Sequence, residues 1–421
     1  MPSQPPAGEP APRSGALPAE STAQLGQAPF GVYLHVPFCL TRCGYCDFTT
    51  YTADELGPDP GASRDSWADA AIAELRLARL VLGDTELPVQ TVFVGGGTPT
   101  LLPPSDLGRV VTALDDLFGL ADDVELTTEA NPESVSPRVF SGLREAGFTR
   151  VSLGMQSTVP HVLRVLDRVH TPGRAVEAAT EARSAGFDHV NLDLIYGTPG
   201  ESQDDFAASL DAALQADPDH ISAYALLVEE GTRMAAQVRR GTVAPPDDDD
   251  LADKYLLADD TLASAGMAWY EVSNWARDGV AGARCRHNEL YWTSGDWWGV
   301  GPGAHSHIRG TRWWNVRHPA PWSRRLAAGE SPAHGREVLD AETQRVERVL
   351  LEVRLAAGLS VAELDDAGKV AARQMVEEGL VEPAPLGSPG AEDAPDEPDP
   401  RVVLTQRGRL LADTVVHRLL P

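Results

Sequence analysis

Cysteine is almost missing from this chain: 421 residues contain four. So few cannot staple a secreted fold of this length, and the expected compartment is a reducing cytoplasm. Basic residues are short as well, 35 Lys and Arg against 62 Asp and Glu, for a net charge of −27. A phosphate backbone needs a basic face, so nucleic acid is not an expected partner, and the acidity serves solubility. No apolar run reaches the length that spans a bilayer. Residues 1–28 lack the charged-then-apolar order of a signal peptide. Their Pro, Ala, Gly, Ser and Gln content predicts a disordered tail.

The few cysteines are not scattered. Cys39, Cys43 and Cys46 follow a C-x3-C-x2-C spacing. Three neighbours cannot all pair as disulfides, and a structural zinc site wants four ligands. Three thiolates on a tight loop suit a cubane iron–sulfur cluster with one iron left open. The alternative is three reduced structural thiols. Cys285 reads as an incidental free thiol.

Strand-like and helix-like segments alternate through the first two thirds of the chain. Short apolar, β-branched runs lie at 30–35, 91–94, 124–128, 150–153, 189–195 and 220–227, with helical periodicity between them. This βα repeat predicts an α/β fold, with a parallel sheet wound into a full or partial TIM-like barrel. The unusual residues collect where strands end, which is where barrels place chemistry. From residue 341 the pattern changes to helices and a short hairpin, 380–382 with 402–405. That predicts a small winged-helix-like domain, interrupted by a disordered Pro/Asp/Glu-rich insert at 383–400. It carries 9 basic and 15 acidic residues, which favours a packing or protein-interaction module over DNA binding. The expected layout is a tail at 1–28, a barrel at 29–270, an extension at 271–340 and the small domain at 341–421.

Together, Cys39-x3-Cys43-x2-Cys46, Gly95-Gly96-Gly97-Thr98-Pro99 and Glu129-Ala130-Asn131-Pro132 resemble a radical S-adenosylmethionine (SAM) protein. Further matches are Ser152–Ser157, Asp193-Leu194-Ile195, Tyr270–Asn274 and His287-Asn288-Glu289-Leu290-Tyr291-Trp292. More narrowly, the set resembles the branch that holds oxygen-independent coproporphyrinogen III oxidases (HemN type) and heme chaperones (HemW type). The resemblance runs from about residue 30 to the C-terminus. It implies a [4Fe–4S] cluster on Cys39, Cys43 and Cys46, whose open iron takes the amino and carboxylate groups of SAM. It implies SAM contacts from Gly96, Gly97, Thr98, Glu129, Gln156, Arg168 and Asp193, and a tyrosine near SAM at Tyr33.

The residues themselves leave other readings open. Gly95–Pro99 could be a strand-ending turn, Glu129 a helix cap, and Arg168 a surface charge on a predicted helix. Asp193 lies in an otherwise apolar strand, where a carboxylate is costly without a partner; this favours a functional role.

Two functions compete within that branch. HemN-type enzymes carry a fourth cysteine two residues after the third. Here that position is Phe48. The Cys-Asp-Phe ending and the His-Asn-x-x-Tyr-Trp motif resemble the HemW type instead. That resemblance implies heme as a ligand and heme-requiring acceptor proteins as partners, with the membrane left open as their location. It makes His287 the candidate heme ligand, since neutral imidazole is a standard axial ligand; the alternative is a hydrogen-bonded structural histidine. No catalytic residue follows from the sequence. The oxidase, a radical decarboxylation in porphyrin biosynthesis, stays as the second reading.

Overall fold

The computed structural model describes residues 8–57, 61–383 and 399–420. The central strands form where apolar and β-branched residues cluster, as in Phe30–Val36 and Val89–Gly96. The strands are β1 (Glu9–Pro10), β2 (Phe30–Val36), β3 (Val89–Gly96), β4 (Leu120–Ala130), β5 (Arg150–Gln156), β6 (His189–Tyr196) and β7 (His220–Ala225). They continue with β8 (Met267–Glu271), β9 (Asn274–Arg277), β10 (Asp296–Val300), β11 (His305–Ile308), β12 (Thr311–Asn315) and β13 (Ala333–Val338). These strands form one sheet in the order β1-β13-β12-β11-β10-β2-β3-β4-β5-β6-β7-β9-β8.

From β10 to β7 all neighbours run parallel. Such strands are buried on both faces, and Val32, Leu34, Val36, Val92 and Val94 are fully covered. The outer helices, among them Arg64–Leu82, Pro104–Phe118 and Gln203–Gln215, pack Leu, Val and Ala against them. The barrel does not close: β7 turns to antiparallel β9, and β10 to antiparallel β11.

The six alternating strands are where the sequence puts them. The segment expected as an extension completes the same sheet, with Trp298, Val300, Ile308 and Trp313 in the main core. A boundary at residue 270 would cut β8, which pairs with β9 around a turn at Ser273 (φ 79°). The disordered tail is corrected for residues 8–28. Glu9 and Pro10 pair with Arg336 and Gly335 on β13. The Ser331 N–H donates to the Arg13 carbonyl at 2.7 Å, and the Ser21 and Thr311 hydroxyls lie 2.8 Å apart. Edge-strand backbone supplies this anchorage, and composition does not report it. Residues 1–7 lie outside the described residues, as does 384–398 of the expected insert.

Residues 341–420 hold a second core of Val349, Val353, Met375, Val402, Val415 and others. The expected pairing appears as a bridge between Val381 and Leu404, beside a short ladder of Leu359–Ser360 with Arg401–Val402. Arg409 ties this unit to the barrel, 2.6 Å from Asp259 and over the Trp269 ring.

One buried carboxylate joins helix to sheet. Glu74, on Arg64–Leu82, accepts from Gly301 N at 2.9 Å, Trp322 Nε1 at 2.7 Å and Asn315 Nδ2 at 2.7 Å. Burial pushes its pKa up to about 7, against the pull of these donors. Glu74→Ala strands two buried donors, Gly301 N and Trp322 Nε1, and leaves Asn315 Nδ2 with the Gly301 carbonyl alone; each stranded donor costs roughly 1–3 kcal/mol. Urea unfolding is expected to show a loss of about 3 kcal/mol; a loss under about 1 kcal/mol would contradict this role.

Candidate functional site

The open end of the parallel strands holds a cavity of about 320 Å3, lined by the cysteine loop and by the ends of β3 to β7. Its geometry starts at the root of the loop. Cys39 N donates to the Tyr51 carbonyl at 3.0 Å and Tyr51 N to the Pro37 carbonyl at 2.7 Å, which closes the loop on itself. The glycine-rich end of β3 then runs along that root: Gly97 N bonds the Val36 carbonyl and Thr98 N the Phe38 carbonyl, both at 2.8 Å. The contact leaves no room for side chains. A Cβ on Gly97 would lie 2.5 Å from the Phe38 oxygen and 3.0 Å from Cys39 Sγ. At Gly96, φ is +110° and a Cβ would strike the His35 ring at 2.5 Å. These glycines are therefore more than a strand-ending turn.

Cys39, Cys43 and Cys46 are unpaired and half-buried, and all three line the cavity. Burial pushes the Cys39 thiol up and the Cys46 thiol to about 11. Among the described residues no three Cys, His, Asp or Glu side chains converge on a single ion-sized point. A cluster does not ask for that, because each thiolate takes a different iron. The donor set fits a three-thiolate cluster with one open corner. Arg168 backs it: Nη1 donates to Cys43 Sγ at 3.2 Å and Nη2 to the Gly154 carbonyl at 3.1 Å. Arg168 lies past the end of the helix Pro160–Val165, so it is not a charge on an exposed helix face.

The opposite wall is acidic. Glu129 Oε2 accepts from Gly96 N at 2.9 Å, so the carboxylate caps the glycine turn and not a helix. Burial, then the nearby Asp193 charge, pushes Glu129 up to about 8. Asp193 accepts from Ser152 Oγ at 2.7 Å and Asn191 Nδ2 at 2.8 Å, and burial pushes it up as well. Gln156 ends β5 in the left-handed region, φ +64°, and lines the same cavity. The sequence-predicted residues Cys39, Cys43, Cys46, Gly96, Gly97, Thr98, Glu129, Gln156, Arg168 and Asp193 are thus brought together on one wall system.

Two are not. Tyr33 is not on the cavity wall but beside it, its hydroxyl 3.0 Å from His35 Nδ1 and its ring against the lining residue Phe93. His287, the expected heme ligand, is not on the cavity wall either. It is fully buried, with Nδ1 2.8 Å from Thr91 Oγ1 and Nε2 2.8 Å from Tyr291 OH, and its ring stacks on Phe93. Burial pushes its pKa down to about 3. Both ring nitrogens are hydrogen-bonded to hydroxyls. The helix Arg286–Trp292 explains the arrangement: four residues along, Tyr291 comes back over His287. Its neighbour Asn288 lines the cavity instead, as does Cys285.

Among the further lining residues that escape the sequence reading are Arg42, Val169 and His170. The one available signal is position, since His170 follows Arg168 by two residues and Arg42 precedes Cys43.

The model of the Radical SAM superfamily matches residues 33–213. The heme chaperone HemW of Mycobacterium tuberculosis (strain ATCC 25618 / H37Rv) is 55% identical over 94% of this chain and 96% of its own length. The heme chaperone HemW of Bacillus subtilis (strain 168) is 30% identical over 92% of this chain and 98% of its own. Among solved structures, coproporphyrinogen III oxidase (HemN) from Escherichia coli, a radical SAM enzyme, matches with a TM-score of 0.76. It covers 95% of this chain and 92% of its own at 21% identity, a likeness of fold. The chain belongs to the HemW family of the radical SAM superfamily.

Proposed function

We propose that this chain is a heme chaperone: it binds a [4Fe–4S] cluster, SAM and heme, and delivers heme to acceptor proteins. The observation that carries the reading is Phe48. It stands where HemN-type oxidases have a fourth cysteine, lines the cavity and is 57% exposed. An exposed phenylalanine at the mouth offers apolar surface to a flat ligand and no further thiolate. The strong likeness to curated heme chaperones supports the same reading.

Cys39, Cys43 and Cys46 would hold the cluster, and Arg168 would offset the charge their thiolates gather near Cys43. Bound there, the cluster and SAM supply one-electron chemistry. The chain's part is to bind and orient. Gly96, Gly97 and Thr98 let the backbone approach the methionine end of SAM without a Cβ in the way. Glu129 and Asp193 present acceptors for an ammonium or for ribose hydroxyls, and Ser152 and Asn191 fix Asp193 in place. Gln156 adds an amide to that wall. We assign the barrel to cofactor binding and residues 341–421 to packing or partner contact. Four free cysteines support a cytoplasmic setting. Among the described residues no helix is long and apolar enough to cross a membrane. Acceptors at a membrane would then be met from its surface.

Anaerobic incubation of the reconstituted chain with SAM, a reductant and coproporphyrinogen III is expected to yield no protoporphyrinogen IX. In parallel, added heme is expected to bind and then move to an apo-acceptor. Robust protoporphyrinogen formation would instead establish the oxidase. Gly97→Ala should push the Phe38 carbonyl and Cys39 aside and cut the iron retained per chain by at least half; full iron retention would remove the close approach as a requirement.

A further inference from the structure

We propose that His220 is a positioning residue for SAM: it is the central link of a one-way hydrogen-bond relay that starts at Cys285 and, through Tyr270 and Asn191, fixes how Asp193 meets its ligand. This rests on the reading that Asp193 takes part in binding SAM. His220 opens β7 opposite Asn191 on β6, and Asp193 follows Asn191 by two, so the three side chains share one face of the sheet. All three line the cavity. His220 Nε2 lies 2.7 Å from Tyr270 OH, and its Nδ1 lies 2.6 Å from Asn191 Oδ1. Asn191 Nδ2 donates to Asp193 Oδ1 at 2.8 Å. At the far end Cys285 N donates to Tyr270 OH at 3.3 Å.

The two ends set the order of every proton between them. A backbone N–H only donates, and an ionised carboxylate only accepts. Tyr270, accepting from Cys285, gives its own proton to His220 Nε2. Burial, with the charges of Arg150 and His189 nearby, pushes the His220 pKa well below the usual histidine range, so the ring is neutral. A neutral ring that accepts at Nε2 carries its proton on Nδ1, and that proton goes to Asn191 Oδ1. The NH2 end of the amide is thereby turned to Asp193. The other tautomer would take the amide by its nitrogen and set Asn191 Oδ1 against the Asp193 carboxylate, oxygen to oxygen. The Ser152 and Ser222 hydroxyls also reach Asn191 Nδ2, but hydroxyls rotate to suit either orientation. The choice belongs to His220. With Oδ2 held by Ser152 Oγ at 2.7 Å and Oδ1 by Asn191, the Asp193 carboxylate cannot turn, and a hydroxyl or ammonium meets it in one geometry. The relay begins directly ahead of the helix Arg286–Trp292, so it sets that carboxylate against the element carrying the His-Asn-x-x-Tyr-Trp motif.

The test uses the full chain before and after its cluster is reconstituted. Before, ¹⁵N-histidine spectra of wild type and His220→Ala identify the His220 ring by its loss. A neutral ring protonated at Nδ1 is expected; protonation at Nε2 would overturn the relay whether or not SAM binds. After, SAM affinity is measured anaerobically by equilibrium dialysis. His220→Gln, whose amide reaches the Nε2 position and leaves Asn191 without its donor, is expected to bind SAM about fivefold more weakly. His220→Asn, whose amide nitrogen falls near Nδ1 and keeps that donor, should stay within about twofold of wild type. Asn191→Asp, which sets a second carboxylate against Asp193, should lose more than either. Equal losses in the Gln and Asn variants would mark a packing fault, and unchanged affinity in His220→Gln would show that Asp193 needs no such hold; either result sinks the positioning role. Asp193→Asn tests the premise by itself: if SAM affinity does not change, the assignment of Asp193 to SAM falls and the positioning role with it, even where the ring is protonated at Nδ1.

Discussion

Two backbone hydrogen bonds hold the rest of the site in register: Gly97 N to the Val36 carbonyl and Thr98 N to the Phe38 carbonyl. They tie the end of one parallel strand to the root of the cysteine loop on its neighbour. A loop with three thiolates has no reason of its own to hold still, because thiolates repel and turns fray. Here its first residues are clamped by a strand end that only glycine can provide. The clamp carries the electrostatics too, since Gly96 N also fixes Glu129, the first acid of the opposite wall.

That wall shows how burial is turned to use. Burial pushes both Glu129 and Asp193 up, and the Asp193 charge adds to the push on Glu129. In an empty core they would be a liability. Facing a cavity, with hydrogen-bond donors fixing one side of each, they present acceptors of defined direction. Arg168 and the cysteines line the same cavity, so charges of both signs are fixed there before any ligand arrives.

The sequence showed the barrel because parallel strands are written as unbroken apolar runs, and 30–35, 91–94 and 189–195 are plain examples. It showed the cysteine loop and its glycines because both are local motifs. What it concealed was relational. β10, rich in Trp, joins β2 from far along the chain, and no local pattern announces that pairing. The tail at 8–28 has little apolar content, yet it is held through backbone groups that every residue owns. His287 belongs to a conspicuous motif, but the one-turn return of Tyr291 and the reach of Thr91 take both its nitrogens.

A barrel that stops short of closing must end its hydrogen-bond ladder twice. At one end the chain's own beginning, Glu9–Pro10, lies along β13. At the other, the link into the C-terminal unit crosses β8, where Ala356 N meets the Tyr270 carbonyl at 2.8 Å and Glu271 bridges Leu355. Two distant segments of the chain thus act as selvedges of one cloth, denying a neighbouring molecule a strand to copy.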